Sequence, residues 1–524
     1  MTEAPIGETT RPTAAPAAGS ASASAAGPAA GPGAGDASGP VVHTAAGSVR
    51  GFWRGGSAAF LGIPFAEPPV GALRFAAPVP QRAWKGVLEA TKMGATPQRG
   101  GDGGTTLIPE PSVKGDSTLN VNVFSPSPTP DAALPVLVYI HGGAYFSGSP
   151  ASPWYDGAAF NRDGVVTVTV SYRLGFTGFG YIEDAPANRG VLDWLLALEW
   201  VRENIRAFGG DPDRVTIAGQ SAGGGAVLRL LGMPAAQHLF RAAWCMSGAA
   251  ADVPLERARG ISERLAALTG VAPTSEGFGT LTPGKINHTR EDATYPEGAS
   301  QIDRLRGVLG LGLSHGPVLD GELLTDTTVE AIAAGVGADK LLVLGATDDE
   351  FTMATDGYRG KLRFVPAGLA LGRVIGLRGP QRRPYLKANR DVRRKGTAAV
   401  LGHYATDRIF RTLVARVAAA RGPAPTWVYR FSWVSPTKGW SCHCLDVPFF
   451  FDHLDAERVD RIAGEDPPPA LADAVHGSAV AFVRTGDPGW PAWSKNPGTT
   501  RVFGGPPSAP DTIPDGYAEV AALL

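Results

Sequence analysis

Apolar residues recur along this chain in two alternating rhythms. Leu134–Ile140 (LPVLVYI) and Val165–Tyr172 (VVTVTVSY) are short, nearly continuous runs rich in β-branched side chains, the pattern of strands buried on both faces. Between Asn188 and Phe208, the residues Val191, Leu192, Leu195, Leu196, Val201, Ile205 and Phe208 return at helical spacing, which predicts a helix with an apolar side. Gly209-Gly210 stops it, because glycine tolerates the left-handed conformation that commonly ends a helix. Arg214–Ala218 (RVTIA) predicts another strand, Ala222–Leu231 a helix, and Leu341–Leu344 (LLVL) a further strand. Strands alternating with helices predict an α/β fold whose large, mainly parallel central sheet carries helices on both faces.

The pattern begins near Val41. Of residues 1–40, 26 are Ala, Gly or Pro, and Ile6 is the only branched aliphatic. Such a segment buries too little apolar surface to offset its ordering entropy, which predicts a disordered tail over 1–40 followed by one domain over 41–524. The tail lacks the basic start and apolar stretch of a signal peptide, and no run of eighteen apolar residues predicts a membrane span.

Charge adds little. Lys+Arg number 48 and Asp+Glu 49, so no net field draws nucleic acid or an anionic membrane. Three cysteines in 524 residues do not make a disulfide framework and fit a reducing, cytoplasmic setting. Residues 361–395 break the balance locally, with eleven Lys or Arg against one acid, Asp391; they read as a solvated helical face.

Chemistry enters at Gly219-Gln220-Ser221-Ala222-Gly223, a G-x-S-x-G sequence between a predicted strand and a predicted helix. A serine on such an elbow projects its oxygen above the sheet, and glycines on either side relieve the crowding. His141-Gly142-Gly143-Ala144 follows directly after the strand Leu134–Ile140. Acyl transfer builds negative charge on a carbonyl oxygen and needs backbone N–H donors there. Gly143, Ala144 and Ala222 are the candidate donors.

A serine hydroxyl also needs a base, and the base an acid to orient it. In hydrolases of this kind the chain order is Ser, acid, His. His238, His288, His315, His403, His443, His453 and His476 all follow Ser221. Asp348-Asp349-Glu350 follows LLVLGAT at a predicted strand end, and each of the three fits the acid's chemistry.

Longer motifs narrow the choice. Phe60–Pro69 (FLGIPFAEPP) with Arg74-Phe75, HGGA at 141–144, Ser171–Gly175 (SYRLG), Ala187–Gly190 (ANRG), Asn204–Asp211 (NIRAFGGD) and Thr485–Pro488 (TGDP) appear in order. The chain resembles the type-B carboxylesterase family, which includes cholinesterases and bacterial para-nitrobenzyl esterases. The likeness runs from about Val41 to near Phe503. It implies the α/β-hydrolase fold and hydrolysis of small-molecule esters by a cofactor-free, metal-free catalytic triad. The family's acid lies in a G-x-x-x-D-E-G pattern, which falls on Gly345…Asp349-Glu350, with Phe351 where glycine is usual. Its histidine precedes x-x-acid-aliphatic-Pro-aromatic, which His443 satisfies through Asp446, Val447, Pro448 and Phe449. The resemblance therefore implies Ser221, Glu350 and His443, with Asp349 and His453 as the alternatives.

Some positions depart from the family. Gln220 replaces a common glutamate, removing a negative charge beside the imidazolium and weakening any preference for cationic substrates. Thr96 and Thr118 stand where many secreted members carry a disulfide, and residues 97–117 hold no aromatic ring for a quaternary ammonium. If a cationic ester were nonetheless preferred, Trp154 and Tyr155, just beyond the oxyanion loop, would be the first residues to substitute. Cys442 and Cys444, if their segment is extended, point to opposite faces and read as packing residues rather than a disulfide or metal site. The same triad also serves acyl transfer and lactone formation, while intact Ser221, Glu350 and His443 argue against a non-catalytic adhesion module.

Overall fold

The computed structural model describes residues 39–97, 107–295 and 298–524. The tail predicted over 1–40 lies outside the described residues except for Gly39 and Pro40. The carbonyl of Pro40 accepts a hydrogen bond from the Gly51 N–H, so the described body starts just ahead of Val41.

In chain order the strands are β1 (Val41–Thr44), β2 (Gly47–Arg50), β3 (Phe52–Arg54), β4 (Ser57–Pro64), β5 (Val87–Glu89), β6 (Asn120–Ser125), β7 (Leu134–Ile140) and β8 (Val166–Val170). They continue with β9 (Gly210–Gln220), β10 (Ala242–Met246), β11 (Val253–Pro254), β12 (Val318–Leu319), β13 (Leu341–Thr347), β14 (Thr426–Phe431), β15 (Thr500–Phe503) and β16 (Thr512–Ile513). Eleven of them form one sheet in the order β16-β15-β14-β13-β10-β9-β7-β8-β6-β4-β3. From β15 across to β8 every neighbouring pair is parallel. The two margins, β15–β16 on one side and β8–β6–β4–β3 on the other, are antiparallel.

Alternation along each central strand feeds two cores. Val136, Val138 and Ile140 of β7 join one apolar cluster, and Leu137 and Tyr139 join the other. Ala243 and Cys245 of β10 face the first cluster, Trp244 and Met246 the second. Helices cover both faces, so these strands carry apolar residues at consecutive positions rather than alternating ones. The predicted α/β-hydrolase architecture with a mainly parallel sheet stands.

Two boundaries moved. The strand expected over 214–218 runs from Gly210 to Gln220, because its pairing with β7 shifts register between Leu134 and Val136 and continues to Gly210. The helix expected from 188 to 208 is α-helical over Arg189–Asn204, then tightens into a short turn at Ile205–Phe208 before Gly209, φ +86°, ends it. Its buried side also differs. Val191, Trp194, Leu198 and Val201 are buried while Leu192, Leu195 and Leu196 lie at its margin. Asp193 is also buried on this helix, its carboxylate pairing with Arg173 at 2.7 Å.

The basic segment forms short helices, including Gly379–Ala388 and Arg390–Arg394, with Arg383, Lys387, Arg393 and Arg394 exposed. That agrees with a solvated face. No described helix is long and apolar enough to cross a membrane.

Candidate active site

Ser221 occupies the single residue between the end of β9 and the helix Ala222–Leu231, at φ +59°, ψ −122°. A non-glycine residue held there costs about 1–3 kcal/mol. The surroundings hold it: Ser221 N–H donates to Met246 O at 3.0 Å, and its carbonyl accepts from Gly225 and Ala249. The flanking glycines have a steric cause. A Cβ on Gly223 would lie 2.0 Å from Ile140 O, and one on Gly219 would lie 2.5 Å from the Gly223 carbonyl group.

Above this elbow, His443 Nε2 lies 2.9 Å from Ser221 Oγ, and His443 Nδ1 contacts Glu350 Oε2. Glu350 follows β13 by three residues and is fully buried. Its other oxygen accepts the Thr347 N–H at 2.9 Å, and its own carbonyl accepts the His443 N–H at 2.8 Å. The carboxylate is thus pinned at two points, and the backbone of the histidine is tied to the same residue. Burial pushes the His443 imidazole down, but the adjoining Cys444 sulfur and Glu350 carboxylate outweigh it and hold its pKa well above the ordinary value. The Cys444 thiol is itself pushed up by burial, which leaves the carboxylate as the charge that acts.

The three candidate acids separate cleanly. Asp348 pairs with Arg430 at 2.8 Å, and Asp349 accepts from His403 Nδ1 at 3.1 Å and from the Thr352 hydroxyl. Of the other histidines, His453 faces Asp455, His238 faces Glu199, and His476 bridges Phe450 O and Asp163. His315 is buried, which with nearby Arg290 and Arg257 lowers its pKa to about 3.

The HGGA loop meets the elbow from the β7 side. A Cβ on Gly142 would fall 3.0 Å from Ser221 Cβ, so only glycine allows this approach. Gly143, Ala144 and Tyr145 all have positive φ, 111°, 51° and 64°. The turn is held because Gly143 O accepts from the N–H groups of Phe146 and Ser147 and from the Ser147 hydroxyl. A side chain on Gly143 would lie 2.2 Å from Ser147 O. Tyr172, stacked on His141 at 4.6 Å, donates its hydroxyl to His141 O. Ala222 opens the helix, so its N–H has no intrahelical acceptor.

Gln220 Nε2 lies 3.3 Å from His443 Nε2, leaving a neutral amide next to the imidazole. Two phenylalanines pack on that ring, Phe351 at 4.7 Å and Phe410 at 5.0 Å between centroids. Sequence reasoning noted Phe351 only as a departure and missed Phe410, whose helical segment lies far from His443 in the chain. No local pattern marks it; only a contact between distant segments does.

The structure bears on two conditional readings. Trp154 and Tyr155 are buried in the core, the indole N–H donating to Glu457 O and Tyr155 packing on Tyr139, so neither is open to a cation. The 442–444 segment is a turn rather than extended chain, with Cys444 at φ +67°. Cys442 and Cys444 are nonetheless free and buried. Thr96 closes its loop through hydrogen bonds with Val113, and residues 98–106 of the aromatic-free stretch lie outside the described residues. Among the described residues, no cluster of three or more ligating side chains could hold a metal ion.

The chain is similar to several known proteins. The sequence profile of the carboxylesterase family matches residues 38–365. The para-nitrobenzyl esterase of Bacillus subtilis (strain 168) is 34% identical over 483 residues, spanning 88% of this chain and 94% of the relative. The phenmedipham hydrolase of Pseudarthrobacter oxydans is 31% identical, over 86% and 90% of the two chains. A crystal structure of a Geobacillus stearothermophilus carboxylesterase superposes with a TM-score of 0.77 at 32% identity, covering 92% of this chain and all of that one.

Proposed function

The chain belongs to the carboxylesterase family and is a carboxylic ester hydrolase, and we propose that it works through an acyl-enzyme formed on Ser221. The observation that carries this reading is the relay from Ser221 Oγ through His443 Nε2, at 2.9 Å, to the buried Glu350 carboxylate. Three residues separated by 93, 129 and 222 positions in the chain meet here, and the neutral tautomer with its proton on Nδ1 would leave Nε2 to accept the serine proton.

In this mechanism His443 Nε2 takes the Ser221 proton as Oγ attacks the ester carbonyl. Gly143, Ala144 and Ala222 supply the N–H donors for the oxyanion. The intermediate collapses, the alcohol leaves with the proton from His443, and the acyl group stays on Oγ. A water then repeats the sequence and releases the acid. Glu350 keeps Nδ1–H oriented and favours the imidazolium that forms between steps. The neutral Gln220 amide favours uncharged esters over cationic ones. We read residues 41–524 as one catalytic domain, and the free, buried cysteines support a reducing, cytoplasmic setting.

Ser221→Ala on the purified, folded protein should lower kcat on para-nitrophenyl acetate by about 10^4-fold or more while leaving Tm unchanged, because it removes the nucleophile and little core volume. Wild-type turnover in that variant would sink the assignment.

A further inference from the structure

Three acids in a row follow β13, and each meets a different partner. Asp348 pairs with Arg430 at 2.8 Å, Glu350 meets His443, and Asp349 takes the Nδ1–H of His403 at 3.1 Å. His403 lies on the helix Thr397–Thr406, is buried, and takes no part in the proton relay. That helix lies directly on the turn that carries Glu350. A Cβ on Gly402 would fall 2.6 Å from Thr352 O and 2.8 Å from Thr352 Cα, and Thr406 Oγ1 accepts the Phe351 N–H at 3.2 Å. The helix then loosens into a π-helical turn over Asp407–Arg411, whose Phe410 packs on the His443 ring. Such turns are frequent at functional sites. One helical segment thus reaches both partners of the Nδ1 contact, the acid through His403 and Thr406 and the imidazole through Phe410.

A carboxylate only accepts, so the His403 Nδ1–H is the donor that decides which way Asp349 points. Asp349 also knots its own turn, because its side chain accepts from the Thr352 hydroxyl and its carbonyl from the Thr352 N–H. Its N–H donates to Ser441 O at 2.9 Å, next to the His443 N–H bond to Glu350 O. Burial pushes the His403 imidazole down, but Asp407 and Asp349 outweigh it and hold its pKa above the ordinary value. Its Nε2 lies between Asp407 at 3.6 Å and Arg411 at 3.3 Å. Without the ring donor, a buried carboxylate next to Glu350 loses its partner, and an unpaired buried acceptor is costly. Resting on the Ser221–His443–Glu350 reading above, we propose that His403 is a positioning residue: by holding Asp349 it fixes the Glu350 turn against His443 and keeps the neighbouring carboxylate out of the relay.

Two substitutions separate the donor from the bulk of the ring. His403→Leu removes the donor, whereas His403→Asn keeps an N–H donor near the place of Nδ1 and drops Nε2. Active sites are counted by fluorophosphonate labelling of Ser221. Per labelled site, kcat on para-nitrophenyl acetate should fall about 10- to 100-fold in His403→Leu, with KM within about 2-fold. His403→Asn should recover to within about 3-fold of wild type. The pH profile distinguishes positioning from mere stability. Charged and titratable groups facing His443 are Glu350, Cys444 and Asp446, and those facing His403 are Asp349, Asp407 and Arg411. A Glu350 carboxylate held less firmly supports the imidazolium less, so the acid limb of kcat/KM should move to lower pH by about half a unit or more in His403→Leu. It should stay in place in His403→Asn. If His403→Leu does not fold, Thr406→Val decides instead: it keeps the shape, removes the acceptor for the Phe351 N–H, and should lower kcat about 3- to 10-fold with the same direction of shift. Wild-type kcat in the deciding variant, a fall in kcat with the limb unmoved, or His403→Asn as slow as His403→Leu overturns the proposal. Failure of the triad reading would show elsewhere, as turnover or labelling that survives Ser221→Ala.

Discussion

Ser221 sits where a strand, a turn and a helix contiguous in the chain meet, and every constraint on it within the elbow is steric or backbone in origin. His443 sits on a turn held by residues from elsewhere: Glu350 across its ring nitrogen, Phe410 and Phe351 on its ring, and the Glu350 carbonyl on its N–H. The two sides of the site thus fail by different routes. On the serine side an added atom has nowhere to go. On the histidine side the fold survives most changes, and what shifts is a charge or an orientation.

A methyl group at the elbow should do the most damage. Gly223→Ala places a Cβ 2.0 Å from Ile140 O and 2.8 Å from His141 O, both backbone atoms. Soluble yield, Tm and activity should collapse together, with kcat/KM down by about 100-fold or more in any folded fraction. Gly284→Ala, which meets nothing within 4 Å, is the control and should match wild type. A fully active, stable Gly223→Ala would show that the elbow is far softer than its contacts imply.

Next in size is Glu350→Gln. Tm should change little in comparison, while kcat falls by about 10^3- to 10^4-fold, because a carboxamide no longer enforces the productive tautomer or balances the imidazolium. The pH profile adds a separate reading. In the proposed mechanism His443 must be neutral to take the serine proton, so wild-type kcat/KM should be lost as pH falls through its raised pKa. Removing the carboxylate lowers that pKa, and the acid limb of the residual activity should move to lower pH. A limb that stays in place would mean the carboxylate does not set the histidine's charge.

The smallest expected effect sharpens the histidine side alone. Asp446 is fully buried beneath the turn; burial and then the Glu350 charge raise its pKa from 3.8 to about 7, and one of its oxygens has no hydrogen-bond partner. Folded protein therefore holds this proton up to about pH 7, while unfolded chain releases it near pH 4. Folding binds a proton in that window, so this group's contribution to stability declines as pH rises from about 4 to about 7. Asp446→Asn has no proton to lose, and its Tm should gain on wild type across that range by a few degrees, roughly what 1–2 kcal/mol produces in a large domain. A Tm difference independent of pH would show that Asp446 is ionised throughout.

Much of this site was legible from residue order. The strand β7, the helix Ala222–Leu231, the elbow and the HGGA loop follow from local pattern, because a buried parallel strand needs consecutive apolar residues and a tight elbow needs glycine. The choice among Asp348, Asp349 and Glu350 was not legible from chemistry, since all three are carboxylates at one strand end; family resemblance pointed to Glu350. The helix Arg189–Asn204 misled in a smaller way. Its leucines suggested one face, but Leu192, Leu195 and Leu196 are only half-buried, while Trp194 and the Asp193 paired with Arg173 are buried.

What the sequence determined by itself was therefore local: where strands alternate with helices, where backbone must pass through positive φ, and which serine stands on the elbow. Those features depend on neighbours within a few residues, and their cost or benefit is written into side-chain volume and branching. Tertiary structure alone decided which carboxylate meets His443, that Asp349 turns to His403, that Trp154 and Tyr155 are sealed in the core, and that two phenylalanines 59 positions apart pack on one imidazole. Each of those outcomes depends on distances between segments far apart in the chain, which are set only when the sheet brings β13, β9 and the 443 turn to the same end.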